Sequence, residues 1–276
     1  MLFTAIHSVK HIPLTFMILQ ARCEMTVETT VPAATVMMIE PVSGPAQVIH
    51  QSSVTLEPMT PHVKTVDVYG NACQRVVLPA GISVIKAEVT ASVPDVIDVD
   101  PSAPFTPVQD LPDNALHYLL PSRYCQSDLL LDLATKVIEN APPGYGQAEA
   151  IRSWIHHNIT YQYGSSGPTT TAMDTADSRM GVCRDYAHLG IALCRAVRIP
   201  ARMVSGYLYQ LDPMDLHAWF EAFVGGRWYT FDATQDQPRG NRIILAYGRD
   251  AADTAQLSEY GNLVMKGMHV RVDAAP

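Results

Sequence analysis

Between residue 24 and about residue 100 the chain alternates apolar and polar positions with a period of two. Met25-Thr26-Val27-Glu28-Thr29-Thr30-Val31 reads as a strand with one buried face, and Thr35 to Ile39, Ser52 to Leu56, Gln74 to Leu78 and Ser83 to Val93 repeat the pattern. Tyr69-Gly70-Asn71-Ala72 supplies a turn between two such runs. Short strands broken by Pro and Gly at this spacing predict an antiparallel β-sandwich.

Prolines then crowd the stretch from Pro94 to Pro121, with Pro101, Pro104, Pro107 and Pro112 between. Proline donates no backbone hydrogen bond, so this stretch reads as a linker or an extended wrap. Beyond it the period changes. Leu129, Leu130, Leu133, Val137 and Ile138 fall at helical spacing between Ser127 and Asn140, and a second helix covers Gln147 to Asn158. A short strand-like run, Ile159 to Tyr163, precedes a polar loop, and Cys183 to Val197 forms a third helix closed by Arg198-Ile199-Pro200. Strands follow at Ala201 to Leu208, His217 to Val224, Arg227 to Phe231 and Arg242 to Tyr247, with Gly225-Gly226 as a hairpin turn. The expected fold is therefore α+β, a β-sandwich followed by helices packed on an antiparallel sheet. The expected divisions are an N-terminal extension at 1–23, a β-rich domain with its Pro-rich linker at 24–115, and a second domain at 116–276.

Composition narrows the function classes. The net charge of -8, without a Lys/Arg cluster, argues against a nucleic-acid partner. No run reaches the roughly 18–20 apolar residues of a membrane-spanning helix. Five scattered cysteines (Cys23, Cys73, Cys125, Cys183 and Cys194) form no C-x-x-C pair, which fits free thiols in a reducing compartment and a cytoplasmic location. The apolar run Ile12 to Leu19 after Lys10-His11 keeps an export signal as the alternative, beside a first β-strand or an extension outside the fold. His156-His157 point in different directions on a helix and make a poor ligand pair, and no acidic loop has calcium-ligand spacing. Neither a metal nor a cofactor is expected, and the sequence leaves the oligomeric state open.

The chemistry gathers around Gly181-Val182-Cys183-Arg184-Asp185-Tyr186-Ala187-His188. Gly181 lets the chain turn, and Cys183 falls at a helix N-terminus, where free N–H groups and the helix dipole favour a thiolate. The same N–H groups suit an oxyanion. His217 opens one strand and Asp232 ends its hairpin neighbour, so the two lie side by side. A cysteine, a histidine and an aspartate then supply a nucleophile, a base and a group that orients the base. Among Tyr161, Gln162 and Tyr163, one can give the second oxyanion hydrogen bond, and Gln162 has the right chemistry. His188, five residues past Cys183, points about 140° away and reads as structural. Arg184 and Asp185 read as a cap or pair at the helix start, and Cys194 as core.

The segments G-V-C-R-D-Y-A-H-L, I-P-A-R-M-V-S-G-Y, L-H-A-W-F-E-A and W-Y-T-F-D-A-T resemble the core of the transglutaminase-like superfamily, and within it the bacterial transglutaminase-like cysteine proteases. The D-V-Y-G-N turn (Asp67 to Asn71) and G-R-D-A-A-D (Gly248 to Asp253) fit the same branch. The resemblance covers roughly residues 24 to 272. It departs from the family at D-A-T, where D-P-T is common, and in the first 23 residues. It implies a papain-like fold whose triad roles fall to Cys183, His217 and Asp232. The expected activity is cleavage of peptide or amide bonds in a peptide or protein substrate through an acyl-enzyme. A transglutaminase with an amine acceptor and a non-catalytic scaffold are the alternatives.

Overall fold

The computed structural model describes residues 15–275. Six strands open the chain: β1 (Phe16–Thr29), β2 (Ala33–Glu40), β3 (Val48–Glu57), β4 (His62–Val66), β5 (Ala72–Leu78) and β6 (Gly81–Pro94). After the Pro-rich stretch come α1 (Asp113–Leu116), α2 (Leu131–Val137), α3 (Tyr145–Asn158), β7 (Thr160–Tyr161), α4 (Ala172–Ser178), β8 (Met180–Gly181) and α5 (Cys183–Ala196). The chain ends with β9 (Ala201–Leu208), β10 (His217–Val224), β11 (Arg227–Phe231), β12 (Arg242–Gly248), β13 (Leu257–Glu259) and β14 (Leu263–Ala274).

The sandwich pairs one sheet of order β14-β1-β6-β3 with another of order β13-β2-β5-β4. Leu19, Ala21, Cys23, Met25 and Val27 alternate into its core, opposite Met37, Ile39, Val76 and Leu78 of the second sheet. Two expectations are corrected here. The division at 23/24 cuts β1, because L-Q-A-R-C-E-M continues the two-residue period back from Met25. The apolar run that precedes it hides this start; residues 1–14, where an export signal would begin, lie outside the described residues. The domain expected at 116–276 also gives up its end: β13 pairs with β2 and β14 runs beside β1 from Leu19↔Ala274 to Thr29↔Leu263. Only Val272 of β14 is buried, so burial left little alternation there to read.

The second body is an antiparallel sheet of order β11-β10-β9-β12 with α5 packed on β10 and β9. Ala218, Phe220, Ala222 and Val224 face the helix and join its apolar side in one core. Gly190 makes this approach possible, since a Cβ there would overlap the Phe220 ring. The far end of α5 is tied down by Arg195, which is buried and donates to the carbonyl oxygens of Ala201, Leu120 and Arg249 and to Ser122 Oγ. The Pro-rich stretch wraps this body: the Ala103 carbonyl accepts from Tyr145 N and the Pro104 carbonyl from Gly225 N. Tyr207, Ile243 and Leu245 of the sheet enter the sandwich core, so the two bodies share apolar contacts.

Gly190→Ala should therefore destabilise the protein by about 1–3 kcal/mol, the usual cost of overpacking a dense core. Gly167→Ala, at a position with open space around it, should change stability by less than about 0.5 kcal/mol. Urea unfolding of the two variants beside the parent checks the difference.

Candidate active site

A two-strand parallel ladder delivers the chain to the start of α5. Thr160 N donates to the Arg179 carbonyl at 2.8 Å and Gln162 N to the Gly181 carbonyl at 2.9 Å. Val182 is then the N-cap and Cys183 the first residue of the helix. Asp185 closes the helix start by accepting from Val182 N at 2.8 Å, and Arg184 pairs with its other oxygen at 3.3 Å. Gly181 is needed for space rather than for a turn. Its backbone is ordinary β, but a Cβ would come within 2.7 Å of the Asp185 Cβ. The expected cap and the expected helix start are both present, with that difference of cause.

All five cysteines are free thiols, and Cys183 alone among them is not fully buried. Burial pushes Cys125 up to about 12. It does the same at Cys23, with the Asp215 carboxylate adding to the rise. The Cys194 thiol is raised further still, again by burial. Those thiols are packing groups.

His217 and Asp232 meet as the hairpin count predicts. His217 Nε2 lies 2.7 Å from Asp232 Oδ2, and both side chains are buried. The remaining ring nitrogen, Nδ1, is free of Asp232, and the Cys183 side chain is near enough to act on the charge of the ring. Burial opposes a charge on His217, but the Asp232 carboxylate, with the Cys183 side chain, outweighs it and pushes the ring up to about 9. Asp232 is likewise desolvated, yet His217, Arg242 and Thr234 hold it well below the usual carboxylate range.

Two members of this cluster escape a reading of the sequence. Thr234 gives its main-chain N–H and its hydroxyl to Asp232 Oδ1 at 3.1 and 2.7 Å. Its place two residues after the aspartate, inside D-A-T, is an Asx-type signal for that contact. Arg242, at the start of β12, puts Nη2 at 2.8 Å from Asp232 Oδ2, an ion pair rather than an aligned hydrogen bond. Its guanidinium lies over the Trp219 ring at 4.8 Å. A charged residue opening the apolar run Ile243 to Ala246 is the only hint of it in the sequence.

Gln162 does not sit where the sequence suggests. Its side chain is exposed, and it is absent from the walls of the cavity of about 350 Å³ that lies against His217. Tyr161, one residue earlier, is also exposed in part, but it lines that cavity and lies near Cys183. Burial, the nearby Cys183 side chain and a hydrogen bond to Tyr163 keep the Tyr161 phenol protonated. Tyr163, Tyr186, Asp212 and Asp215 complete much of the wall. His188 is structural, as expected. It stacks on Tyr124, accepts from Ala251 N at 3.1 Å, and burial pulls it down to about 4.

Residues 131–233 match a family model described as the transglutaminase-like superfamily. A crystal structure of a protein from Cytophaga hutchinsonii, named a putative cysteine protease, is 35% identical to this chain with a TM-score of 0.89. The match covers 95% of this chain and 92% of that one. The chain belongs to the transglutaminase-like superfamily. Two uncharacterized mycobacterial proteins are similar to part of this chain. The one from Mycobacterium leprae is 32% identical over 131 residues, 44% of this chain and 46% of that protein. The one from Mycobacterium tuberculosis is 34% identical over 143 residues, 46% of each chain. The chain thus spans about half the length of the curated relatives it matches. The sandwich, by contrast, lies within the match to the Cytophaga protein.

The buried pair sets a pH dependence with a definite sign. His217 is raised in the fold, from about 6.5 to about 9, so its stabilisation is complete below pH 6.5 and is lost as pH climbs through 9. Each tenfold change in proton affinity is worth about 1.4 kcal/mol, so the full loss amounts to roughly 3 kcal/mol. Urea unfolding between pH 6.5 and 9 should show this decline, and His217→Gln should flatten it.

Proposed function

We propose that this protein is a thiol hydrolase that cleaves a peptide or amide bond in a peptide or protein substrate. One arrangement carries the reading: Cys183 starts a helix with its side chain near a His217 ring whose Nε2 is 2.7 Å from a buried, ionised Asp232. A ring raised to about 9 holds a positive charge against the sulfur at neutral pH. Cys183 Sγ, as the anion, attacks the substrate carbonyl carbon, and the carbonyl π electrons move onto oxygen. The Cys183 N–H at the start of α5 and the nearby Tyr161 O–H stabilise that oxygen. His217 then gives its Nδ1 proton to the leaving nitrogen as the C–N bond breaks, which leaves a thioester. Water, deprotonated by the now neutral His217, attacks the thioester, and Sγ departs with its electron pair. Asp232 stays ionised throughout and fixes the ring through Nε2.

The cavity beside His217 and the tyrosines gives the acyl part of the substrate a place to bind. Membership of the superfamily and the likeness to the Cytophaga protein support the reaction class. They do not choose between water and an amine as acyl acceptor, and water is the reading adopted.

The test combines a peptide library with a thiol probe. Wild type should release new amino termini or ammonia, Cys183→Ala should be inactive, and Cys183 should react with iodoacetamide near pH 6 faster than a free thiol. Isopeptide formation outpacing hydrolysis, with glutamine peptides and amine donors, would replace the hydrolase by a transglutaminase. Labelling no faster than a free thiol, together with unaltered function in Cys183→Ala, would leave a scaffold. Tyr161→Phe should lower kcat by about 10- to 1000-fold with little change in KM, the usual loss when one oxyanion donor is removed. Gln162→Ala should leave both constants within about twofold, since its side chain is exposed.

A further inference from the structure

Strand β12 is the edge of the catalytic sheet, so its outward peptide groups face away from β9 and need partners. Two of them are met by side-chain amides of the sandwich. Gln47 Oε1 accepts from Ile244 N at 2.7 Å, and Gln47 Nε2 donates to Ile244 O at 2.8 Å. Asn71 repeats the arrangement with Oδ1 accepting from Tyr247 N at 2.8 Å and Nδ2 donating to Tyr247 O at 2.7 Å. Each amide thus does for β12 what a neighbouring strand's peptide group would do. The interval of three residues follows from a one-residue bulge between Ile244 and Ala246, which delays the next outward-facing group by one place.

Both amides are buried and held in place independently of β12. The second N–H of Gln47 donates to the Val42 carbonyl at 2.9 Å. That of Asn71 donates to Asp67 Oδ2 at 2.8 Å, while Asp67 Oδ1 accepts from the main-chain N–H groups of Tyr69 and Asn71. The turn is locked again from the far side, where Tyr69 donates its hydroxyl to Asp253 and accepts from Arg249, both just after β12. The D-V-Y-G-N and G-R-D-A-A-D segments therefore meet as one clasp.

Arg242 opens this same strand and is buried against Asp232. Only Ile243 separates it from Ile244, the residue that Gln47 holds. We propose that Gln47 and Asn71 are positioning residues of the active site, which fix β12 so that Arg242 stays against the Asp232 carboxylate. If β12 shifts, Asp232 loses an anchor on Oδ2, its carboxylate is free to turn away from His217 Nε2, and the ring loses the contact that keeps it protonated. The sandwich then contributes to the electrostatics of the site as well as to packing. This inference rests on the proposed roles of Asp232 and His217, but its test needs no turnover.

A double-mutant cycle on Cys183 reactivity tests it. Gln47→Met and Asn71→Leu remove the amides at nearly constant shape, and each is combined with Arg242→Met. The readouts are the iodoacetamide rate of Cys183 at pH 6, the NMR titration of His217, and folding by circular dichroism. Each amide variant should slow alkylation at least fivefold and lower the His217 midpoint in the parent. In the Arg242→Met background the same changes should have less than a twofold effect. An equal effect in both backgrounds, or none in either, would overturn the proposal and leave the amides as interdomain packing. Should either variant fail to fold, Asp67→Asn loosens the Asn71 amide without touching β12 and enters the same cycle under the same criteria. An absence of any amide hydrolysis by the wild type would count against the hydrolase reading alone, because the alkylation cycle does not depend on it.

Discussion

The Asp232 carboxylate is the group on which the arrangement of the catalytic body depends. A buried carboxylate costs several kcal/mol unless opposite charge and hydrogen bonds surround it. Here the compensation comes from three places at once: His217 at the start of β10, Thr234 just past β11, and Arg242 at the start of β12. No short segment could supply all three. The sheet must bring β10, β11 and β12 to one end, with β9 setting the distance between β10 and β12. An electrostatic demand at one atom group thereby becomes a constraint on strand order.

The same constraint passes charge toward Cys183. Asp232 has one cation that never titrates in the working range, Arg242, and one that can, His217. The permanent cation keeps the carboxylate ionised, while the carboxylate keeps the ring protonated. The sulfur then meets a positive ring from one side and the start of α5 from the other. That geometry is only as good as the placement of α5. Asp185 fixes its first turn, Gly190 lets it lie close to Phe220, and Arg195 anchors its last turn to three separate carbonyl groups. The helix is held along its whole length, so Cys183 rests on a rigid element.

What is legible in the sequence follows from burial. β9 and β10 have the bounds expected because their residues are buried nearly throughout, and β11 follows because the Gly225-Gly226 turn leaves one register open. Cys183, His217 and Asp232 are legible because each stands at an element boundary that local pattern defines. β4 and β14 are not, since their side chains are mostly exposed and their place is set by pairing partners far away in the chain. Tyr161 and Gln162 show a third case. Tyr161 ends the two-residue strand β7 and Gln162 lies just past it, so which of them lines the cavity is decided by the pairing of β7 with Met180-Gly181, and neither residue carries that information by itself. Arg242 is hidden for a related reason: its partner is ten residues back and across two strands.

The position of the catalytic body within the chain follows from β1. That strand lies inside its sheet, between β6, the last strand before the Pro-rich wrap, and β14, the last strand of the described chain. Everything from the Pro-rich wrap to Thr254 is therefore an insertion between strands of the sandwich. An insertion whose two ends are fixed in one rigid body has little freedom to drift as a unit, since both junctions must move together. Gln47 and Asn71 act inside that frame, within reach of β12 because the returning strands and the outgoing ones belong to the same sandwich. A sandwich appended by one linker would be free to rock, and an edge strand clamped by it would rock as well. With both ends of the insertion held, two neutral amides suffice to fix the strand that carries the buried cation, and no further charge has to be buried to do it.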